Sequence, residues 1–84
     1  MLSIQRLKEL FHYDAETGIF TRLKTAGGMV SGTIAGSLNP FGYLRISIDH
    51  ERYLCHRLAW FYSYGSWPEH EIDHINGIRT DNRL

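Results

Sequence analysis

Apolar and polar positions alternate along this chain with two distinct periods, and the switches between them mark its elements. From Ser3 to Phe11, the residues Ile4, Leu7, Leu10 and Phe11 recur at the spacing of one helical face, and Ser3 stands where a side-chain N-cap belongs. Asp14-Ala15-Glu16-Thr17-Gly18 reads as a turn, and Ile19 to Leu23 as a half-buried strand. Thr25 to Gly36, rich in Gly, Ser, Thr and Ala, predicts a connector or a short irregular strand; its glycines fit neither phosphate-binding fingerprint. After the turn signal Asn39-Pro40-Phe41-Gly42, a strand runs from Tyr43 to Ile48 with Leu44, Ile46 and Ile48 on one face. Asp49 to Arg52 closes a hairpin, with Tyr53-Leu54-Cys55 as the returning strand. His56 to Tyr64 then takes up a helical stripe of Leu58, Ala59, Phe61 and Tyr62, extended by Trp60 and Tyr64, and Gly65 supplies the stop. Beyond Trp67-Pro68, a short strand is expected to end near His74, where Asn76-Gly77 opens a polar loop. The pattern predicts one α+β domain: a small β-hairpin or sheet with two helices.

Composition narrows the class. At 84 residues the chain suits a single small domain, and an aromatic content of 13% supplies the large rings that a core of this size needs. Its single cysteine, Cys55, excludes an internal disulfide, sits in an apolar run and reads as a small buried residue; the absence of a disulfide framework suits a reducing cytosol. No apolar stretch approaches the roughly 20 residues that span a bilayer. Nine basic and nine acidic residues balance, which argues against tight nonspecific nucleic-acid binding through net charge alone. A local patch remains open, because seven of the nine basic residues are Arg, whose planar fork donates two hydrogen bonds at once to a phosphate. Arg45, Arg52, Arg57, Arg79 and Arg83 all fall in the second half, where ordinary solvated charge is the bland alternative.

The candidate chemistry is concentrated in Asp73 and His74. A carboxylate offers a hard oxygen to Mg²⁺ or Mn²⁺, and a neutral imidazole beside it can take a proton from water near neutral pH. These are two requirements of phosphodiester hydrolysis. Adjacent strand residues point to opposite faces, but at a strand end that opens into a loop both can border one site. As a bare dipeptide, Asp-His is equally an ordinary surface pair.

The wider run is more specific. His56-Arg57-Leu58-Ala59-Trp60, Trp67-Pro68, Glu71-Ile72-Asp73-His74-Ile75-Asn76-Gly77 and Asp81-Asn82-Arg83-Leu84 together resemble the HNH homing endonucleases of phages and group I introns. Upstream, Tyr13-Asp14-Ala15-Glu16-Thr17-Gly18-Ile19-Phe20 and the stretch from Gly36 to Ile48 resemble the leader of phage members. The resemblance implies residues 1–52 as a helix and β leader and 53–84 as a partial nuclease motif, within one compact domain. It implies a ββα-metal site with His74 as general base, Asp73 as metal ligand, a Mg²⁺ or Mn²⁺ cofactor and double-stranded DNA as partner. Arg57, Arg79 and Arg83 become candidates for phosphate contacts. Asn82 would brace the polar loop by side-chain to backbone hydrogen bonds, and His56 would make a structural hydrogen bond or join Arg57 at a phosphate. Family members continue past the polar loop into a second strand and a helix bearing another ligand. The resemblance therefore implies a C-terminally truncated, incomplete ββα-metal motif in a phage or prophage protein of the bacterial cytoplasm.

Three other readings compete. His70-Glu71-Ile72-Asp73-His74 fits the H-E-x-x-H zinc-protease pattern, but Pro68 and Asn76-Gly77 leave little room for the helix that this chemistry needs. Cys55, His56, His70 and His74 could form a structural zinc site, though without the paired spacing of zinc modules. A noncatalytic DNA-binding or interaction module is the third, in which Arg residues touch phosphates. The aromatics Trp60, Phe61, Tyr62, Tyr64 and Trp67 would there stack on bases; their helical spacing favours core packing.

Overall fold

A computed structural model describes residues 2–25, 28–69 and 82–83. Helix α1 spans Ile4–Leu10 and begins as expected at Ser3, whose hydroxyl accepts the Arg6 amide at 3.1 Å. Seven residues are too few to be stable alone, so α1 depends on burying Leu7. At Phe11 the backbone turns extended without a loop, and strand β1 (Phe11–Asp14) follows directly. The Phe11–Asp14 strand departs from the sequence reading, because Phe11 satisfies the helical period and the strand alternation equally well. Phe11 and Tyr13 point into the core, and His12 faces out.

Strand β1 pairs antiparallel with β2 (Ile19–Arg22), from Phe11↔Arg22 to Asp14↔Ile19. Asp14 builds the connecting turn: its carboxylate accepts the Glu16 amide at 2.9 Å and its carbonyl accepts the Gly18 amide at 2.7 Å. Gly18 closes the turn at φ +74°. The Gly-rich connector contributes one short strand, β3 (Ile34–Ala35), and β4 (Ser37–Leu38) follows directly after the connector. They lie at the edges of different three-stranded sheets, β1-β2-β3 and β4-β5-β6. Only Gly36, at φ +122°, separates them, in a backbone region that glycine alone enters freely.

Strands β5 (Leu44–Ile48) and β6 (Glu51–Leu54) form the expected hairpin with a tighter turn than anticipated. Ile48 pairs with Glu51, leaving only Asp49 and His50 as the loop, both at positive φ. Cys55 is not part of the returning strand; it opens helix α2 (Cys55–Tyr64). That helix ends at Gly65 in the left-handed conformation, whose amide returns to the Phe61 carbonyl at 2.8 Å.

The buried stripe of α2 (Cys55, Leu58, Ala59 and Phe61) meets Leu7 of α1, Phe11 and Phe20 of the first sheet and Ile46 and Ile48 of the second in one core. Position 52/53 falls inside β6, and residues on both sides of it contribute to that core. The result is a small α+β fold with two helices and two antiparallel sheets among the described residues. None of its described helices is long and apolar enough to cross a membrane.

Candidate functional site

Entry into α2 places two of the candidate residues. The chain passes from β6 into the helix at Leu54 with extended backbone and no side-chain cap, which puts His56 and Arg57 in the first turn. Both are half-buried. The His56 ring lies against Tyr43, with centroids 5.6 Å apart and planes at 44°.

Asn82 and Arg83 are placed far from where sequence proximity would put them. Asn82 is 3% exposed, and its main-chain carbonyl accepts the Tyr13 hydroxyl at 2.6 Å. A buried phenol requires such a partner. This contact runs through the Asn82 backbone. Gly18 is also buried against this segment: a Cβ on it would stand 2.5 Å from the Arg83 amide nitrogen and 2.7 Å from the Asn82 carbonyl carbon. Arg83 itself is exposed. Tyr13 and Gly18 are the residues that sequence reasoning missed. The Asp-x-x-x-Gly turn gave a reason for Gly18, but no pattern signals a contact across 69 positions.

Asp73, His74 and Arg79 lie outside the described residues, as does the whole H-E-x-x-H match. Among the described residues no group of three or more His, Cys, Asp or Glu side chains converges on a point where a metal could sit. By residue type alone, the Asp73 carboxylate is a hard oxygen donor that suits a divalent cation such as Mg²⁺ or Mn²⁺.

Cys55 is 1% exposed, and burial pushes its thiol up to about 12. Its sulfur lies 3.5 Å from where a Cβ on Gly36 would be, inside the core.

The aromatic cluster divides. Phe61 is buried, Tyr62 packs on the core and Trp67 stacks on Phe61, as core packing requires. Trp60 and Tyr64 instead pair with each other at 4.5 Å, and Tyr64 is 61% exposed. On the second sheet, the register places Arg45, Ser47 and Arg52 on one face, opposite the buried Ile46 and Ile48. Asp49, at the hairpin tip, is gripped by both arms of the Arg6 fork at 3.1 and 3.0 Å, and that hydrogen-bonded pairing holds its carboxyl below the usual range.

A hairpin feeding a helix, with Trp67 and Asn82 docked on the same core region, defines the class as a small α+β domain. Residues 53–84 match the family model described as HNH endonuclease. The match begins in β6 and includes α2, Trp67-Pro68 and the docked Asn82-Arg83. It supports a nuclease-type function in general and an association with DNA. No curated protein and no solved structure matches the chain.

Proposed function

We propose that this chain carries the motif of a metal-dependent HNH endonuclease acting on double-stranded DNA, of the phage and intron type. The carrying observation is the family match over residues 53–84, whose described parts are integrated into one packed core. His74 is the general base: its imidazole accepts a proton from water, and the oxygen so activated attacks the phosphorus while a sugar oxygen leaves. Asp73 is the residue that holds Mg²⁺ or Mn²⁺ through a carboxylate oxygen. When bound, such a cation supplies positive charge where the phosphodiester transition state develops negative charge. Arg57, Arg79 and Arg83 contact phosphates, and His56, its ring against that of Tyr43, holds the start of α2 in place.

The test is nicking of supercoiled plasmid by the full chain with Mg²⁺ or Mn²⁺. Wild type relaxes the plasmid, and His74→Ala lowers the rate by about 100-fold or more, the scale of a lost general base. Relaxation at the wild-type rate by His74→Ala refutes the assignment. A mobility shift of duplex DNA without metal, falling steeply with salt and unaccompanied by cutting, would mark a noncatalytic binding module instead.

A further inference from the structure

The peptide bond between Asn82 and Arg83 is held from two sides by the β1–β2 hairpin. The Tyr13 hydroxyl bonds its carbonyl oxygen at 2.6 Å. The bare Cα of Gly18 lies against its carbon and nitrogen, where a Cβ would intrude to 2.7 and 2.5 Å. Tyr13 is itself immobilised: its ring centroid is 4.8 Å from that of Phe20 in β2 and 5.8 Å from that of Tyr62 in α2. Three elements of the core therefore fix the plane of one peptide. On one side of that plane stands a residue that is 3% exposed, and on the other a solvent-exposed arginine.

An arginine that binds phosphate from a mobile backbone must surrender backbone and side-chain freedom on contact, which subtracts from affinity. Here the backbone share of that cost is met in the folded protein. We propose that Tyr13 is a positioning residue for DNA contact by Arg83, acting through the Asn82–Arg83 peptide, with Gly18 as the surface on which that peptide rests. This inference rests on the nuclease reading above and adds the N-terminal hairpin to the DNA-contacting machinery.

The experiment is a double-mutant cycle on the full chain, reading affinity for a short DNA duplex over a range of salt without divalent metal. Tyr13→Phe, which removes one hydroxyl, weakens binding about five-fold, the scale of one buried hydrogen bond. Arg83→Ala weakens binding and lowers the salt slope by about one. Because Tyr13 acts through Arg83, the double variant binds no more weakly than Arg83→Ala alone. A general structural role for Tyr13 gives additive losses instead, and either additivity or wild-type affinity in Tyr13→Phe overturns the proposal while leaving the nuclease reading intact. Amide hydrogen exchange reads the clamp without DNA: exchange at Asn82 and Arg83 speeds up in Tyr13→Phe and in Gly18→Ala while α2 amides are unchanged. Equal exchange in wild type and both variants also overturns it. Failure of the wild type to bind any duplex would instead bring down the nuclease reading, and with it the DNA half of this inference.

Discussion

Trp67 lies parallel to Phe61, with ring centroids 4.2 Å apart and planes within 9°. It is equally parallel to Tyr53, at 5.7 Å. Phe61 belongs to α2 and Tyr53 to β6, so one indole ties the chain beyond Gly65 to both elements. Offset aromatic pairs contribute about 0.5–1.5 kcal/mol each beyond area burial. Trp67→Ala should therefore cost about 2–3 kcal/mol, at or below the low end for a buried aromatic because Trp67 is only half-buried. Trp60→Ala, which breaks the outward-facing pair with Tyr64, should cost less than about 1 kcal/mol. Urea unfolding followed by circular dichroism checks both, with a lowered midpoint and an unchanged slope for Trp67→Ala.

Two glycines separate backbone conformation from close approach. Gly18 and Gly65 have nearly the same φ, +74° and +76°, yet only Gly18 has a main chain pressed against it; no described residue comes within 4 Å of a Cβ on Gly65. Gly65→Ala should lose about 1 kcal/mol, the left-handed penalty alone. Gly18→Ala should lose that and about 1 kcal/mol more, because the Tyr13 hydroxyl loses its acceptor when the Asn82–Arg83 peptide is displaced. Equal losses in denaturant would show that the close approach carries no energy.

The turn between β5 and β6 holds two non-glycine residues, Asp49 and His50, at positive φ. A two-residue hairpin loop with both residues at positive φ normally calls for Asn-Gly or Asp-Gly, and here His50 stands in the second place at φ +69°. Asp49, at φ +50°, is pinned by Arg6. His50→Gly should stabilise the protein by about 0.5–1 kcal/mol and raise its melting temperature by a few degrees, since the left-handed penalty exceeds the entropy that glycine adds to the unfolded chain. A lower melting temperature would mean that the imidazole makes a compensating contact.

Helix α2 could be read in advance because Leu58, Ala59 and Phe61 keep one period between a hairpin and a stop glycine. The Asn39 turn was equally legible: its side chain accepts the amides of Phe41 and Tyr43, the local bonding that makes Asn a turn residue. Strand β1 was missed because Phe11 serves two periods at once, and β4 because two residues carry no period at all. Cys55 was assigned to the wrong element since an apolar residue at a strand–helix junction satisfies both. The Tyr13–Asn82 contact was beyond reach, because residue identities state what can hydrogen-bond but not which distant segments meet. The Asp73-His74 pair became legible only through family resemblance; the dipeptide alone carries too little pattern.

Cys55 ties stability to pH in a direction that can be worked out. Its thiol, driven up to about 12 by burial, ionises near 8.5 in the unfolded chain, going by the ordinary thiol value. Below that unfolded value both states hold the proton and the group contributes no pH dependence. Above it the unfolded state releases the proton while the folded state keeps it, so stability falls by about 1.4 kcal/mol per pH unit until the folded thiol itself ionises. Other groups titrate in the same range, so the informative quantity is the difference between wild type and Cys55→Ala. At pH 7 the variant should be less stable by about 1 kcal/mol, from the small cavity left beside Gly36. By pH 10 that gap should close or reverse. In the folded protein Cys55 should also resist a disulfide reagent that labels it at once in urea. A pH-independent gap between wild type and variant, or rapid labelling under native conditions, would place the thiol in contact with water and contradict its position in the core.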